Sequence, residues 1–495
     1  MMAGAINPII WADVPDPSVI RVGDTYYMSS TTMHMNPGVP IMKSKDLVNW
    51  EIVNYVYDVL GEKDAQVLAN GKNEYGIGSW ASSLRYHNGS YYVVFSSQTE
   101  ESTFVFKTSD IENGPWEKHT LPFVHDMSLL FDDDGSVYLV HGSGDIKVLE
   151  LTADATAIKP GGLNRVIIPD SSAVAGPDIA LPAEGAHLHK INGMYYVFLI
   201  TWPRGGMRTQ LCYRAQSITG PWEGRVVLQD AGIAQGGLVD TPDGKWYALL
   251  FGDRGAVGRI PYLVPVRWES GWPVFGVDGR VPVELGVSCS QEIKIVASDE
   301  FDDDRLSLVW QWNHNPDNDH WSLTERPGYL RLRTPRISKE ITDAQNILTQ
   351  RTFGPTCSAQ VAVDIDGLQS GDYAGLALFQ KIYGFVGVKI CGKGQYVVMA
   401  DASSGTCVEV ERIPVAQTRL YFKAACDFRE QRDLAYFFYS LDGEEWLPIG
   451  RPLKMLYTLP HFMGYRFALF CFATRAAGGY VDFDHFRIMD FPSQV

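Results

Sequence analysis

Cysteine is scarce in this sequence, and its arrangement argues against a zinc ribbon and against a disulfide framework. The chain has 7 cysteines in 495 residues, an odd number, and none of them belongs to a CxxC pair. Metal ribbons and disulfide scaffolds need paired, closely spaced cysteines. We therefore expect reduced, mostly buried thiols in a reducing compartment. The cysteines are Cys212, Cys289, Cys357, Cys391, Cys407, Cys426 and Cys471.

Positive charge and long apolar runs are also lacking. The chain has 42 basic and 58 acidic residues, a net charge of −16. Such a surface repels phosphate backbones and anionic lipids, so we expect no nucleic-acid and no membrane partner. No apolar run approaches the ~20 residues that span a bilayer. The first residues, MMAGAINPIIWADVPDP, lack the features of a signal peptide. The sequence predicts a cytoplasmic protein, and a signal peptide already removed is the alternative.

Several catalytic motifs are absent as well. The chain has no HExxH, no phosphate-binding loop and no dinucleotide-binding glycine motif, and its Gly-Ser-Gly at 142–144 lacks the nucleophile-elbow pattern. His125, His187 and His189 have no metal-ligand spacing, and we expect them to be core or hydrogen-bonding residues. Zinc peptidases, nucleotide hydrolases, dehydrogenases and serine hydrolases are therefore disfavoured, and we expect no organic cofactor.

Aromatic residues, in contrast, are abundant and recur in a repeat. The chain contains 13 Trp, 24 Tyr and 23 Phe. A glycine turn followed by an aromatic pair and a β-branched run occurs five times, which is typical of a hairpin leading into a strand. The copies are VGDTYYM (22–28), NGSYYVVF (88–95), DGSVYLVHG (134–142), NGMYYVFLI (192–200) and DGKWYALLF (243–251).

The spacing of these copies predicts a five-bladed β-propeller. The marker tyrosines are 65, 46, 58 and 51 residues apart, which fits blades of about 40–50 residues with insertions. A second pattern that contains Trp recurs at 44–51, 108–118 and 215–224, and we expect it to close a blade's outer strand. A long β-sandwich with repeated hairpins is the competing interpretation. The marker residues are Tyr27, Tyr92, Tyr138, Tyr196 and Tyr247.

Composition shifts near residues 280–298, and the remainder reads as short alternating strands with almost no helical periodicity. We predict an all-β chain with a propeller over 1–288 and a concanavalin-like β-sandwich over 299–495. Two acidic clusters, 299–304 and 482–484, offer oxygen ligands that suit calcium. Solvated turns and strand ends are the alternative for both clusters.

Three acidic residues occupy matching positions ahead of the repeats. Asp16, Asp126 and Glu184 precede the marker tyrosine of their repeat by 11, 12 and 12 residues. The inner strands of a propeller begin near its axis, so equivalent positions on different blades should converge in one funnel. Two carboxyl groups on opposite sides of a sugar suffice for glycoside hydrolysis, and a third raises the pKa of the acid. Simple turn carboxylates are the alternative.

These motifs resemble glycoside hydrolase family 43. The resemblance runs through AsnProIleIle (7–10), ProAspProSer (15–18), GSWASSLRYHNGSYYV (78–93), Asp126, EGAHLHK (184–190) and the segment 235–266. It covers about the first 285 residues, and the second domain is similar to the accessory β-sandwich of many members.

The resemblance implies roles for individual residues. Asp16 matches the general base, Glu184 the general acid, and Asp126 the residue that tunes and orients the acid. Trp80 matches a sugar platform, with a core Trp as the alternative, and Arg259 matches an arginine that binds sugar hydroxyls. Inversion implies a base-to-acid separation of roughly 6.5–9.5 Å.

A metal is also implied. Several members bind calcium at the propeller centre, often through a histidine. This sequence has Gln235 at the matching place, where an amide oxygen would replace the imidazole.

The resemblance also implies the function: the chain is expected to be an exo-acting β-xylosidase with α-L-arabinofuranosidase activity on small oligosaccharides. A strict arabinofuranosidase is the close alternative. A carbohydrate-binding propeller without activity, and a lyase or invertase-like transferase, are alternatives of other classes. The oligomeric state is left open, with a homo-oligomer among the options.

Overall fold

The computed structural model describes residues 4–288, 292 and 294–489. These residues form 38 strands, numbered β1–β38 in chain order, and five 3₁₀ helices, with no α-helix among them. The 3₁₀ helices are Ala173–Ala175, Gly255–Val257, Asn318–His320, Ile341–Asp343 and Arg429–Gln431. The all-β prediction is therefore confirmed.

Five four-stranded antiparallel sheets form the blades of a propeller. Blade 1 has β2 (Ser18–Val22), β3 (Thr25–Ser29), β5 (Gly38–Ser44) and β6 (Glu51–Tyr57). Blade 2 has β7 (Ser83–His87), β8 (Ser90–Ser97), β9 (Ser102–Thr108) and β10 (Glu117–Pro122). Blade 3 has β11 (Ser128–Phe131), β12 (Val137–His141), β13 (Ile146–Leu151) and β14 (Asn164–Ile168). Blade 4 has β15 (Ile179–Ile191), β16 (Met194–Pro203), β17 (Thr209–Ala215) and β18 (Glu223–Leu228). Blade 5 has β19 (Ala234–Asp240), β20 (Trp246–Asp253), β21 (Arg259–Glu269) and β22 (Trp272–Phe275).

The repeat seen in the sequence is the first hairpin of each blade. Asn88-Gly89 and Asn192-Gly193 join their strands as two-residue loops in which both residues have positive φ, the geometry that matches strand twist. The marker tyrosines all lie in the second strand of a blade. The prediction for the Trp pattern was wrong in one respect. Trp50 lies directly before β6, so the pattern opens the outer strand rather than closing it.

Apolar side chains from adjacent blades interleave at each seam. Between blades 1 and 2 one cluster joins Ile41 and Val56 to Val93, Phe95 and other residues, and Val93 and Phe95 have no exposed surface. Burying one such side chain stabilises the fold by about 1.5–3 kcal/mol. Separate clusters fill the seams that follow around the ring. The β-branched and aromatic runs of the repeat supply these surfaces, which is why the sheets pack radially.

Polar contacts tie the inner strands into a ring. The half-buried guanidinium of Arg85 in β7 donates to the carbonyls of Leu129 in β11 and Leu188 in β15, at 2.6 and 3.0 Å. Arg21 in β2 pairs with Asp240 in β19, at 3.1 Å from Nε to Oδ1. Because β2 and β19 belong to the first and fifth blades, this pair closes the ring. β1 (Gly4–Ile6) pairs with β23 (Glu284–Ser288) outside the blades.

The second domain consists of two packed eight-stranded sheets. The first sheet runs β32 (Val408–Val415), β31 (Gly394–Asp401), β30 (Gly384–Cys391), β29 (Asp372–Phe379), β37 (Arg466–Ala473), β27 (Leu348–Arg351), β24 (Gln311–Asn313) and β4 (Met35–Asn36). The second runs β25 (Trp321–Ser322), β26 (Leu330–Arg333), β38 (Tyr480–Met489), β28 (Thr356–Asp364), β33 (Arg419–Asp427), β34 (Leu434–Ser440) and β35 (Leu447–Pro448), and β36 (Leu453–Lys454) also pairs with β34. The propeller and sandwich architecture predicted from the sequence is confirmed.

The two domains share a sheet. Strand β4 leaves blade 1 and pairs with β24 as the edge strand of the sandwich, through Asn36 opposite Trp312. Beside it lie three buried histidines, His34 from the propeller and His314 and His461 from the sandwich. The His34 ring centroid lies 5.0 Å from each of the other two. Backbone N–H groups donate to His34 Nδ1 and His314 Nε2, at 3.3 and 2.9 Å.

The acidic clusters are engaged by other side chains. Asp482 binds Arg331 and Arg326, at 2.7 and 3.0 Å, and Asp299 accepts from the Trp310 indole at 2.8 Å. These partners account for Asp482 and Asp299, and calcium binding by the two clusters stays a prediction.

The cysteines of the described residues are free thiols, and those buried are Cys212, Cys357, Cys426 and Cys471. Cys289 lies outside the described residues. No helix in the described part of the chain has both the length and the apolar character needed to cross a membrane.

Candidate active site

Two of the three predicted carboxylates lie just before the inner strand of their blade. Asp16 precedes β2 by two residues and Asp126 precedes β11 by two residues. Glu184 differs, because it lies inside the long strand β15, where the pairing with β16 is irregular on both sides of Glu184. That irregularity redirects the backbone, so that Glu184 joins the other two acids at the propeller axis.

Several site positions share an unusual backbone conformation, which also occurs elsewhere in the described part of the chain. Asp16, Asp126 and Gln235 have φ angles of 51°, 45° and 62°, and Gly185, directly after Glu184, has 67°. A residue other than glycine with positive φ is uncommon, and the conformation costs of order 1–3 kcal/mol. The surrounding structure holds such residues in place, and this kind of strain is concentrated at functional sites.

Asp16 forms a buried ion pair with Arg259. One nitrogen of the guanidinium, Nη1, lies 3.0 and 3.1 Å from the two carboxylate oxygens. The two side chains are only 6% and 4% exposed. Burial raises the pKa of Asp16, and the positive charges of Arg259 and Arg208 oppose that rise. Nε and Nη2 of Arg259 are buried and have no hydrogen-bond partner among the described residues, so two donors next to Asp16 are unsatisfied.

Asp126, His125 and Glu184 form a second group. His125 Nε2 lies 3.0 Å from Glu184 Oε2 and 3.7 Å from Asp126 Oδ2. Asp126 is also hydrogen-bonded to the backbone of Gly185. Burial raises the pKa of Asp126 to about 7; His125 opposes this rise, while Glu184 and Asp16 add to it. The pKa of His125 is raised to about 9, because the two carboxylates outweigh the effect of its burial.

Aromatic side chains line the approach to this group, and one of them comes from the sandwich. The Trp80 ring stands edge-on to His125, with centroids 5.7 Å apart, and is 6.4 Å from Phe462. Phe462 also covers the Arg259 guanidinium, at 4.5 Å from ring centroid to Cζ. Trp80 is therefore at the site; it is half-buried, packs against a buried cluster of methionines, and donates from its indole to the Gly76 carbonyl at 3.2 Å. Its role as a sugar platform stays a prediction.

Sequence reasoning missed His125 and Phe462 as site residues. His125 precedes Asp126 directly, so its position was a usable signal that was not used. Phe462 is 446 residues after Asp16, and nothing in its local sequence connects it to the propeller axis. In blade 4, by contrast, His187 is buried and His189 is half-buried and accepts from the Leu238 N–H, and desolvation lowers the pKa of both, as expected of core or hydrogen-bonding histidines.

Gln235 lies at the axis but presents few ligands for a metal. Its backbone N–H donates to Gln210 Oε1 at 2.7 Å, and its side chain packs against Gly185, where a Cβ would lie 2.8 Å from Cδ. Calcium takes 6–8 oxygen ligands, and Gln235 would supply one. Among the described residues, His, Cys, Asp and Glu ligand atoms converge in one group, His125 with Asp126 and Glu184. The hydrogen bond from His125 to Glu184 accounts for that convergence without an ion. We derive no step through a metal.

The arrangement suits acid–base chemistry on a neutral ligand. The carboxylate of Asp16 is held by the guanidinium of Arg259, two nitrogens of which have no partner among the described residues. The carboxyl group of Glu184 lies beside His125 and the buried Asp126. Aromatic rings enclose the space above them. This combination, in the centre of a propeller with an attached sandwich, defines a glycosidase with an accessory β-sandwich.

Comparison with known proteins gives the family. Residues 5–273 match the model of glycosyl hydrolases family 43, and residues 298–489 match that of the beta xylosidase C-terminal concanavalin A-like domain. The chain belongs to glycosyl hydrolases family 43. The resemblance stated from the sequence is thus confirmed.

Three relatives illustrate the similarity. A solved structure of a bifunctional GH43-CE protein of Bacteroides eggerthii is 57% identical with a TM-score of 0.98, covering all of this chain and 64% of that one. This chain therefore spans slightly less than two thirds of that protein. A beta-xylosidase of Formosa agariphila is 29% identical, covering 97% of this chain and 89% of its own. A non-reducing end alpha-L-arabinofuranosidase of Bacteroides ovatus is 30% identical, covering 72% and 70%.

Proposed function

We propose that this glycosidase is an inverting, exo-acting enzyme that releases terminal β-1,4-linked xylose and α-L-arabinofuranose from xylan-derived oligosaccharides. The observation that carries the proposal is the separation of the site into two parts. Asp16 is held by Arg259, while Glu184 lies with Asp126 and His125. A glycosidase requires two separate carboxyl groups that flank the scissile bond, and in an inverting enzyme the two lie roughly 6.5–9.5 Å apart, with a water between the base and the sugar.

In this mechanism Asp16 is the general base. It takes a proton from a water molecule as the water oxygen bonds to the anomeric carbon. Glu184 gives a proton to the glycosidic oxygen as the bond to the leaving sugar breaks. Asp126, buried beside His125 and hydrogen-bonded to the backbone of Gly185, orients the segment that carries Glu184. The free nitrogens Nε and Nη2 of Arg259 bind hydroxyls of the sugar held beside Asp16.

Support for exo action comes from the sandwich. Phe462 stands over Arg259 and faces Trp80, so the second domain narrows the entrance to the funnel. A chain end fits such an enclosed site better than the middle of a polymer does. Xylose and arabinofuranose are pentoses of similar shape, and the relatives carry both activities in their names. A strict arabinofuranosidase is the alternative specificity.

Proton NMR of the products tests this function. Xylobiose and an arabinofuranosyl-xylooligosaccharide are digested in parallel, and the anomer released first is observed. We expect α-xylose from the β-linked substrate and β-arabinofuranose from the α-linked one. First release of the other anomer would remove Asp16 as a water-activating base.

Release of neither sugar would favour a binding propeller without activity. Asp16→Asn is the matched control. It should bind the same oligosaccharides but lose at least a hundredfold in kcat, in line with general acid–base catalysis.

A further inference from the structure

One histidine in the site has no role in the chemistry described above. His125 extends from the segment before β11 toward β15, and its Nε2 lies 3.0 Å from Glu184 Oε2. Its side chain is 28% exposed and that of Glu184 is 22% exposed. The ring is therefore in contact with both solvent and the carboxyl that is proposed to act as the acid.

The surroundings fix this histidine in place. The Trp80 ring stands edge-on to it at 5.7 Å between centroids. Its backbone carbonyl accepts from Gly142 N–H at 2.9 Å, which ties this segment to the end of β12. Two carboxyl groups face the ring, Glu184 and, at 3.7 Å, Asp126. One further titratable neighbour, His141, has a pKa lowered to about 4, mainly by burial, and so is neutral near pH 7.

We propose that His125 is the positioning residue of the general acid: it holds one oxygen of Glu184 and shares with it the proton that Glu184 delivers. This inference rests on the proposed function, because it assigns the acid role to Glu184. With one proton on the pair, the two forms are an imidazolium beside a carboxylate and a neutral imidazole beside a carboxylic acid. Moving the proton between Nε2 and Oε2 converts one into the other without gain or loss from solvent.

Substrate entry favours the productive form. A sugar that fills the space between Trp80 and Phe462 displaces water from the pair. Lower polarity disfavours two separated charges and favours the neutral imidazole with the carboxylic acid. After the proton has gone to the leaving oxygen, Glu184 is a carboxylate and Asp16 carries the proton from water. Asp16 then releases its proton to solvent, and His125, partly exposed, takes up the proton that restores the pair.

The pH dependence distinguishes this role from a structural one. The pair retains its last proton up to about pH 9, the raised pKa of His125. A carboxyl group without such a partner loses its proton well below that pH. We expect the alkaline limb of kcat/KM to move down by at least one pH unit in His125→Phe. His125→Gln keeps a hydrogen-bond donor but cannot store a proton. His125→Gln should therefore have a higher kcat near pH 5 than His125→Phe. Its alkaline limb of kcat/KM should nevertheless stay lowered, as in His125→Phe.

Leaving groups give a second measurement. A 4-nitrophenyl pentoside needs little protonation, whereas xylobiose needs it fully. At pH 7.5 we expect His125→Phe to lose at least ten times more kcat/KM on xylobiose than on the nitrophenyl substrate. His119→Phe is the matched control, because His119 Nε2 also lies 3.0 Å from a carboxylate, that of Glu117, but on an outer strand. It should leave both the pH profile and the leaving-group ratio unchanged.

Three outcomes would overturn the inference. These are an alkaline limb in His125→Phe that matches the wild type, one that moves upward, and equal losses on both substrates. An upward shift would mean that the reactive enzyme carries protons on both groups. Circular dichroism and thermal melting of each variant confirm that it is folded. Failure of the wild type to cleave any pentoside would instead count against the proposed function.

Discussion

Replacing Arg259 by methionine tests whether this side chain keeps Asp16 in the form that can accept a proton. Methionine fills a similar volume but removes the charge that lies 3.0 and 3.1 Å from the two carboxylate oxygens. Because both side chains are almost fully buried, the carboxylate of the variant has lost its hydrogen-bonded cation and keeps only the weaker effect of Arg208 against the rise that burial causes. It therefore responds by taking up a proton.

The size of this response follows from the burial of the pair. Breaking a buried ion pair by removing one partner costs about 3–5 kcal/mol. One pKa unit corresponds to 1.36 kcal/mol, so the pKa of Asp16 should rise by a further ~2–4 units. The acid limb of kcat/KM then moves up by about the same amount, and activity at pH 5 falls by roughly a hundredfold or more.

The assay is kcat/KM between pH 4 and 9 on a nitrophenyl pentoside. Arg259→Lys keeps a charge but loses the guanidinium's planar set of donors, so its acid limb should stay near that of the wild type while its KM rises. Arg267→Met is a control on the same strand, since Arg267 is exposed and pairs with Glu269 at 2.8 Å. An acid limb that does not move in Arg259→Met, in a variant that folds normally, would refute the reasoning.

Three further predictions concern the entrance, the domain seam and the metal. Phe462→Ala should raise KM about tenfold with a smaller change in kcat, because it removes the aromatic ring that covers the Arg259 guanidinium. An unchanged KM on xylobiose would contradict this. Burial lowers the pKa of His314 and of His461 to about 3. The unfolded chain therefore binds more protons below about pH 6.5, and stability is lost as pH falls from there toward 3. Each histidine contributes a loss of up to about 1.4 kcal/mol in the free energy of unfolding per pH unit. Chemical denaturation at pH 7 and pH 5 should therefore show a smaller loss of unfolding free energy in the His314→Gln, His461→Gln double variant than in the wild type. Gln235 offers one of the 6–8 oxygen ligands that calcium takes, so adding calcium to chelated wild type should leave its Tm unchanged; a rise in Tm that is lost in Gln235→Ala would contradict this.

The sequence predicted the blades well because each blade is a local structure. Asn88-Gly89 specifies a hairpin by itself, and the alternation around Tyr92 specifies the strand that follows. Five copies of one local signal then determine the ring, because a set of such sheets buries its faces only by packing radially. The positions of Asp16 and Asp126 followed from the same regularity.

What could not be predicted depends on contacts between distant segments. Glu184 lies inside a strand rather than before one, because an irregular pairing with β16 shifts its register. Phe462 reaches the axis only because the sandwich docks on the propeller, and docking is not encoded in any local pattern. The link between His125 and Glu184 joins blades 3 and 4, so it also required the three-dimensional ring. The base-to-acid separation of roughly 6.5–9.5 Å remains a prediction of the inverting mechanism.

The strand β4 has a consequence for how such proteins can be recombined. Residues Met35 and Asn36 belong to the propeller by sequence but complete a sheet of the sandwich. Exchanging the accessory domain for that of a relative would therefore require the exchanged partner to recognise an edge supplied by the catalytic domain. In a chimera joined at the linker, β24 of one protein would have to pair with β4 of another, and the two strands would not have evolved together. We therefore expect the two domains to be inherited as one unit, and they are best engineered as one unit.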